Sequence, residues 1–408
     1  MKHIQRKTER RIAAALRLAL VAVLLLLQIA LVIALTQVLR QKIYIGYSVL
    51  EIIAVLCVVR IYMRPGSSTY KPGWIVLIML VPVVGLILYF LWNGNQVKKK
   101  LDLKPIPMPP ETEEVKRRSE SAQEKLSARW PRWGRLAAYL RRQDMPLFEN
   151  TDMTYFPTGE EYLEDLLERM KTARRFIFLE YYIASEGEIW DRICTVLTER
   201  AAAGVEVNLI LDDFGSMMTM PPEEISALRK RGVWVQMFNP VHRYVNRLYF
   251  NYRDHRKIAV IDGDIAYTGG ANLADEYANL IVRFGYWKDC GIRLEGEGAW
   301  GLTRQFMYLW LRMGGELRES WDSYRPRTSP EGGEFCQPLV DGPDNNPVNT
   351  AEDTFQQLIS NANRYIWITT PYLAIDEPMI RTLCIAADSG VDVRLMLPGI
   401  PDHKFAYM

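Results

Sequence analysis

The chain has 408 residues, a length typical of about two or three domains, and 49% of them are apolar, which excludes a wholly disordered protein. Its 50 Lys and Arg residues nearly balance 48 Asp and Glu residues, so the net charge of +2 argues against a histone-like protein or an acidic tail. The five cysteines are scattered without a C-x-x-C pair, which argues against a disulfide framework and a structural zinc site.

Three hydrophobic stretches lie within residues 1–95. Leu18–Val38 has 21 residues without a charge and Trp74–Trp92 has 19, so each is long enough to cross a bilayer. Ile43–Val59 is a weaker candidate because it carries Glu51. We therefore predict N-terminal transmembrane helices, two or three in number. Basic residues flank this region on both sides, and each cluster favours the cytoplasmic face, which three full crossings cannot satisfy. The orientation stays ambiguous, and we place the rest of the chain in the cytoplasm.

Residues 96–135 are charged and rich in proline, which is typical of a tether. From residue 152 onward helical and strand-like runs alternate, which indicates an α/β fold. We predict four regions in chain order: a membrane anchor over 1–95, the tether over 96–135, a first α/β half over 136–335 and the beginning of a second half over 336–408.

Two stretches of the α/β region resemble each other. RFIFL (175–179) aligns with RYIWI (364–368), and GVEVNLIL (204–211) aligns with GVDVRLML (390–397). In both stretches a predicted helix separates the two strands and ends at the glycine. Because long apolar strands must be covered on both faces, the repeat predicts an αβα sandwich with duplicated halves, the second of them incomplete.

A motif with the spacing H-x-K-x4-D follows the first stretch, formed by His255, Lys257 and Asp262. Ile258–Ile261 predicts a strand, and the alternation of a strand puts His255 and Lys257 on one face. A second strand, Ile265–Thr268, would return as a hairpin and bring Gly269, Gly270 and Asn272 beside them.

These residue types suit phosphodiester chemistry. A neutral imidazole can attack phosphorus, while Lys257 and the Asn272 amide bind the oxygens on which charge develops. Gly269 and Gly270 would let the backbone approach a phosphate, and a carboxylate could orient the imidazole. The lysine supplies positive charge, so we predict no metal and no cofactor.

Several other residues are candidates with alternatives left open. Glu180, in an apolar strand, either contacts Lys257 or orients a histidine, or has a structural hydrogen bond. Asp212 and Asp213 end the next strand, where acidic residues often line a site. Asn251 and Arg253 lead into the motif and are candidate phosphate ligands. The aromatic residues just before the motif either shape an entrance for acyl chains or pack internally: Tyr244, Tyr249, Phe250 and Tyr252.

The motif and its glycine-rich continuation resemble the phospholipase D superfamily. The segments NPVHRYVNRLYFNYRDHRKIAVIDG, TGGANLADEY, YWKDCGIRLEGEGAW and QPLVDGPDNNP are more closely similar to bacterial cardiolipin synthases. The resemblance implies a membrane enzyme of bacteria that joins two phosphatidylglycerols into cardiolipin and releases glycerol through a phosphatidyl-histidine intermediate. It also implies phosphatidylglycerol and the bilayer as partners and no nucleic acid.

One departure from this family bears on activity. The family carries two such motifs, one in each half, and both build a single active site. Here one motif is present, and the spacing from Gly204 to His255, applied to Gly390, would place a second motif beyond Met408. We therefore expect a chain that is truncated at its C-terminus and inactive as written. A phospholipase D-type hydrolase and a non-catalytic membrane lipid-binding protein remain the alternatives.

Overall fold

The computed structural model describes residues 43–63, 70–92, 103–240, 252–330, 333–342 and 349–400. The chain divides into two compact units, Met1–Asn95 and Gln96–Met408. Asn251, Tyr244, Tyr249 and Phe250, which the sequence singled out, lie outside the described residues.

The first unit contains helices α1 (Ile43–Met63), α2 (Tyr70–Leu80) and α3 (Pro82–Trp92). The chain bends sharply between α2 and α3, where Pro82 lacks an N–H and disfavours a helical conformation of the residue before it. A Cβ on Gly85 would meet the Cα of Ile78 at 2.7 Å, which shows how closely the bend brings the two helices together.

The prediction of N-terminal transmembrane helices is wrong for the part of the chain that the structure describes, where no helix is both long and apolar enough to cross a bilayer. Trp74–Trp92, predicted as one span, is divided between two helices of 11 residues, each about 17 Å long against a hydrocarbon core of about 30 Å. The stretch is apolar on both sides of Pro82, so its hydropathy gave no sign of the bend. The multi-pass prediction is thus unsupported, and Leu18–Val38 lies outside the described residues.

The second unit is built from helices and strands that alternate along the chain. Its described helices are α4 (Glu113–Arg129), α5 (Pro131–Arg142), α6 (Gly159–Lys171), α7 (Glu188–Ala202), α8 (Asp213–Ser216), α9 (Pro222–Lys230), α10 (Ala299–Arg312), α11 (Thr350–Asn361) and α12 (Glu377–Asp388). Its described strands are β1 (Phe148–Phe156), β2 (Phe176–Tyr181), β3 (Glu206–Asp212), β4 (Trp234–Phe238), β5 (Ile258–Ile261), β6 (Ile265–Gly269), β7 (Gly291–Gly296), β8 (Glu334–Cys336), β9 (Tyr365–Thr369) and β10 (Asp392–Met396).

Among the described residues, eight strands form one sheet in the order β4-β3-β2-β5-β6-β7-β1-β8. The strands β2, β3 and β4 are parallel, and the remaining neighbours pair antiparallel. In β2, Ile177 and Leu179 belong to the core shared with α6, α7 and α9, whereas Phe176 and Phe178 belong to the core shared with α10. Helices therefore cover both faces, and the predicted αβα layering is confirmed.

The strands β9 and β10 form a separate parallel pair joined by α12. One face of this pair packs on α11 and α12 through Ile366, Ile368 and Val393. The register pairs Tyr365 with Asp392, as β2 and β3 pair Phe176 with Glu206. The two aligned sequence stretches thus fold into matching strand–helix–strand units.

The segment interpreted as a tether packs against α10 where the structure describes it. Glu111 is buried, and its Oε1 accepts a hydrogen bond from Trp300 Nε1 (2.9 Å) and lies 3.0 Å from Arg304 Nε. The backbone N–H of Lys104 donates to the Arg312 carbonyl at 2.7 Å. These contacts fix the chain before α4, which begins after Thr112 caps it.

The strand directions bring several loops to one edge of the large sheet. Because β5 runs antiparallel to β2 and β6 runs antiparallel to β5, the carboxyl ends of β2, β3 and β6 lie at the same edge as the start of β5. The start of β7 lies there as well. We call this the His255 edge, formed by residues 182–187, 213–220, 253–257 and 270–290.

Candidate active site

His255 and Lys257 lie together where the chain enters β5. Lys257 Nζ is 3.2 Å from His255 Nδ1 and donates to the His255 carbonyl oxygen at 2.7 Å. Lys257 is buried and the imidazole is exposed, with the Tyr182 ring 4.7 Å from it between centroids. His255 is the one histidine within the described ranges. Strand alternation, as predicted, puts both side chains on the same face.

The surroundings keep the imidazole neutral and the lysine charged. Desolvation by neighbouring groups, together with the Lys257 ammonium, lowers the pKa of His255 to about 4. Burial lowers the pKa of Lys257 to about 8, opposed by the carboxylates of Asp254, Asp289 and Asp212. Near neutral pH the pair therefore consists of an uncharged base beside an ammonium ion.

Asp212 and Asn239 hold the backbone segment that leads into His255. Asp212 Oδ2 accepts a hydrogen bond from the N–H of Asp254 at 2.9 Å, while its Oδ1 accepts from the backbone N–H groups of Phe214 and Gly215. Asn239 Nδ2 donates to the Tyr252 carbonyl at 2.7 Å. Burial raises the pKa of Asp212 to about 6, with the Arg253 guanidinium acting against the rise. The end of β3 thus anchors the motif.

Glu180 lies on the opposite face of the sheet from Lys257. It is fully buried in β2, and its Oε1 is 2.6 Å from Arg256 Nε, which is also 2.9 Å from Asp254 Oδ1. The alternation that groups His255 with Lys257 points Arg256 the other way. Among the alternatives left open for Glu180, this ion pair favours a structural role.

Asp262 is not brought to the His255–Lys257 pair. It follows β5 at the opposite end of the strand, in a left-handed conformation with φ of 56°. Its carboxylate accepts hydrogen bonds from the backbone N–H groups of Arg174, Arg175 and Phe176, at 2.6 to 3.2 Å. The aspartate of the motif therefore fastens the β5–β6 turn to the start of β2.

Asn272, Gly269 and Gly270 reach the His255 edge, but their contacts are with the protein. Asn272 is buried; its Oδ1 accepts from the N–H of Ile183 (3.1 Å), and its Nδ2 donates to the Tyr277 hydroxyl (2.7 Å). A Cβ on Gly269 would meet the Cys290 carbonyl at 2.6 Å, and one on Gly270 would collide with the Asp289 carboxylate. Asn272 thus secures the loop that carries Tyr182, and the missing side chains of the two glycines leave room for Cys290 and Asp289.

Arg253 packs beside the anchor at the end of β3. Its Nη1 donates to the Asn239 carbonyl at 3.0 Å and lies 3.4 Å from Asp212 Oδ1, and its guanidinium lies over the Phe214 ring. The structure therefore places this candidate phosphate ligand in contacts that support the motif.

Sequence reasoning missed Tyr182 and Asp289, both beside the pair. Asp289 lies where a Gly270 side chain would stand, and its pKa is raised by burial and held back by hydrogen bonds from Cys290 N and Trp287 Nε1 and by Lys257. Tyr182 comes directly after β2, and its place at the end of a predicted strand was the one sign in the sequence that it could line the site. Asp289 follows a long loop, and no local pattern relates it to Lys257. Within the described ranges, no cluster of three or more His, Cys, Asp or Glu side chains is arranged to hold a metal ion.

Comparison with known proteins identifies the family. The protein-family model described as "Cardiolipin synthase, PLD-like domain" matches residues 166–281 and 355–407. A second family model, described as "Phospholipase_D-nuclease N-terminal", matches residues 52–93. The chain belongs to the bacterial cardiolipin synthases of the phospholipase D superfamily. It is accordingly a phosphatidyltransferase.

Individual relatives match most of the chain. The major cardiolipin synthase ClsA of Bacillus subtilis (strain 168) is 30% identical over 375 residues, which cover 88% of this chain and 76% of that protein. A cardiolipin synthase of Oceanobacillus iheyensis is 30% identical over 85% of this chain and 73% of its own length. An uncharacterized protein of Streptococcus mutans is 36% identical, covering 82% of this chain and 72% of that protein.

Proposed function

We propose that the chain transfers the phosphatidyl group of one phosphatidylglycerol to a second, with formation of cardiolipin and release of glycerol, and that His255 receives the group. The observation that carries this proposal is the neutral imidazole beside the buried Lys257 ammonium, with Nζ 3.2 Å from Nδ1. The family relationship supports the choice of phosphatidylglycerol, a lipid met at a membrane surface, as the substrate.

In the first step an imidazole lone pair forms a P–N bond while the P–O bond to the glycerol headgroup breaks. An ammonium ion only donates, so Nδ1 accepts from Lys257, and movement of Nζ to a phosphate oxygen frees that lone pair. The same charge then stabilises the oxygens around phosphorus, and the departing alkoxide takes a proton from solvent water and leaves as glycerol. This chemistry draws its positive charge from the lysine and uses no cofactor.

In the second step the free hydroxyl of another phosphatidylglycerol attacks the phosphorus. The new P–O bond forms as the P–N bond breaks, the hydroxyl proton passes to solvent water, and the imidazole returns to its neutral state. Attack by water instead would give phosphatidic acid, which is the product expected of the alternative hydrolase. Asp212, Asn239 and Asn272 act in this proposal as positioning residues, because each fixes backbone next to His255 or Tyr182.

The product formed on phosphatidylglycerol vesicles tests the proposal. We expect cardiolipin and glycerol, a phosphatidyl adduct on the peptide containing His255 after quenching at neutral pH, and at least a 10³-fold loss in His255→Ala. Ile385→Ser, an exposed position on α12, serves as the control with normal turnover. Phosphatidic acid as the main product would favour the hydrolase. Vesicle binding without any product would refute the proposed transfer and agree with the expectation of an inactive chain or with a non-catalytic protein. Cardiolipin formation by His255→Ala would refute the role of the histidine.

The pH dependence of adduct formation tests the electrostatic part of the proposal. Attack needs the uncharged ring, so the rate should rise with pH through an acid limb near pH 4, where His255 titrates. Removal of the ammonium in Lys257→Met should raise the pKa of His255 and move this limb toward the ordinary value of about 6.5. An acid limb at the same pH in both proteins would contradict the proposed influence of Lys257.

A further inference from the structure

The loop between the Asp275–Ala278 turn and β7 is held closed at its base by one side chain. Asn279, with φ of 51°, accepts a hydrogen bond from the N–H of Trp287 at 2.7 Å through Oδ1. Its Nδ2 donates to the Trp287 carbonyl (2.9 Å) and to Glu160 Oε1 (2.8 Å). Residues 279–287 therefore form a compact loop with fixed ends, which we call the apolar loop.

The tip of the apolar loop carries large apolar side chains in contact with solvent. Leu280, Ile281, Val282 and Tyr286 are exposed by 46, 49, 83 and 64%. Arg283 lies among them, with its guanidinium over the Phe284 ring and 2.8 Å from Glu276 Oε1. Contiguous exposed apolar residues mark interaction sites, and aliphatic tips combined with Tyr and Arg are typical of segments that enter a lipid interface.

The apolar loop shares its supports with the candidate active site. The Trp287 ring lies 5.0 Å from the Tyr277 ring, and its Nε1 donates to Asp289 Oδ2 at 3.3 Å. Tyr277 accepts from Asn272, the residue that secures the backbone next to Tyr182. The loop thus stands on the His255 edge itself.

A second apolar projection stands on the same edge. In the segment after β3, Phe214, Met217 and Met218 are exposed by 41, 36 and 52%. Ser216 Oγ in this segment donates to the Tyr182 carbonyl at 3.2 Å, so this projection also lies beside the ring that packs on His255. Exposed apolar side chains therefore stand on two loops of the edge from which His255 must reach a phosphate.

We propose that the apolar loop inserts its tip, Leu280–Val282, into the surface of an anionic lipid bilayer and so brings His255 to the level of the lipid phosphates. The choice of a bilayer as the occupant rests on the proposed function, because the phosphorus that His255 attacks then lies at a membrane surface. The aliphatic side chains would leave water for the acyl boundary, while Arg283 and Tyr286 would remain among the headgroups.

A fluorophore on the loop tests insertion without reference to activity. Val282→Cys is labelled with a polarity-sensitive dye in the full chain, with the exposed Cys290 and Cys384 replaced by serine. On vesicles of phosphatidylglycerol and phosphatidylcholine that contain a spin-labelled lipid, we expect a blue shift and strong quenching of the dye. The same dye at Ile385→Cys, exposed by 54% on α12, should show neither change. An unquenched dye at position 282, or equal quenching at both positions, would overturn the proposal. The unquenched result is also the one expected if the apolar loop binds a protein instead of a lipid surface.

Turnover provides a second measurement. In Ile281→Ser/Val282→Ser, activity on vesicles should fall about tenfold more than activity on monomeric short-chain phosphatidylglycerol, because the removed apolar area serves only the bilayer. Ile380→Ser/Ile385→Ser is the matched control and should change neither activity. Equal losses on both substrates would show a structural effect and overturn the proposal. If the unsubstituted chain turned over neither substrate, the proposed function would fail, and the dye experiment would still decide whether the loop inserts.

Discussion

The two strand–helix–strand units, β2–α7–β3 and β9–α12–β10, repeat each other in backbone geometry. Gly204 and Gly390 follow the connecting helices with φ of 89° and 88°. The next residue donates back to the helix in both units, Val205 to the Arg200 carbonyl at 3.0 Å and Val391 to the Ala386 carbonyl at 3.1 Å. Sequence similarity at the glycines and strands is therefore matched by the same local hydrogen bonds.

The surroundings of the two units differ completely. Phe178 in β2 is fully buried and stacks on Phe306 of α10 at 4.6 Å between ring centroids. Trp367, at the equivalent position of β9, is exposed by 61%. The same backbone pattern is thus compatible with a core strand and with a strand that has one solvent face, and only the packing partners distinguish them.

The ends of the strands differ in chemistry as well. Glu180 and Asp212 hold Arg256 and the Asp254 backbone in the first unit. Their equivalents in the second unit are Thr369 and Pro398, neither of which carries a carboxylate. The two units therefore share a backbone frame but differ in the side chains at their strand ends, and substitutions at matched positions measure what each side chain contributes.

The largest difference is expected at the matched aromatic positions. Phe178→Ala should lower the free energy of unfolding by about 3–5 kcal/mol, because it leaves a cavity between β2 and α10. Trp367→Ala should cost less than about 1 kcal/mol, because the ring faces solvent. Urea unfolding of both variants checks this, and equal losses would show that a covered β9 face exists in solution.

The buried ion pair should give the next largest effect. Arg256→Met leaves the buried carboxylates of Glu180 and Asp254 without this partner and should cost about 3 kcal/mol. Glu180→Leu/Arg256→Met should recover part of the loss, because Asp254 still lacks the guanidinium. Thr369→Val, at the position equivalent to Glu180, should be close to neutral. A double variant as unstable as the single one would show that the pair itself stabilises the fold.

A smaller effect is expected where each second strand begins. Glu206 is buried and accepts from the Tyr324 hydroxyl (2.6 Å) and from Asn208 Nδ2 (2.8 Å), so Glu206→Ala should cost about 1–3 kcal/mol by leaving both donors unpaired. Its equivalent, Asp392, pairs with Arg394 at the surface, and Asp392→Ala should leave the unfolding midpoint unchanged. Midpoints that fall equally in both variants would contradict the difference in burial.

Strand alternation accounts for much of what the sequence predicted correctly. It grouped His255 with Lys257, since a period of two depends only on neighbouring residues. The β5–β6 hairpin was predicted from the two short strands that follow each other in the chain. The same rule of alternation applied to Arg256 would have placed it on the opposite face from Lys257. The αβα layering followed from the apolar strands, which need cover on both faces.

The features that the sequence did not predict depend on contacts between distant residues or on a single bend. Asp262 belongs to the motif, yet it binds backbone N–H groups 86 to 88 residues away. Asp289, just before β7, is brought within electrostatic range of Lys257 by the pairing of β6 with β7. Hydropathy over Trp74–Trp92 measures composition and does not register that Pro82 divides the helix.

The smallest effect should also be the same in both units. A Cβ on Gly204 or on Gly390 would meet nothing within 4 Å, so Gly→Ala at either position changes the backbone energy without a steric clash. The left-handed conformation should then cost about 1–2 kcal/mol in each variant. Gly204→Asn and Gly390→Asn should recover part of the loss, because asparagine tolerates this conformation better than alanine. Urea unfolding of the four variants checks the expectation. A large loss at Gly204 with none at Gly390 would mean that the second helix can end in another way, and that the similarity of the two units does not extend to what their backbones require.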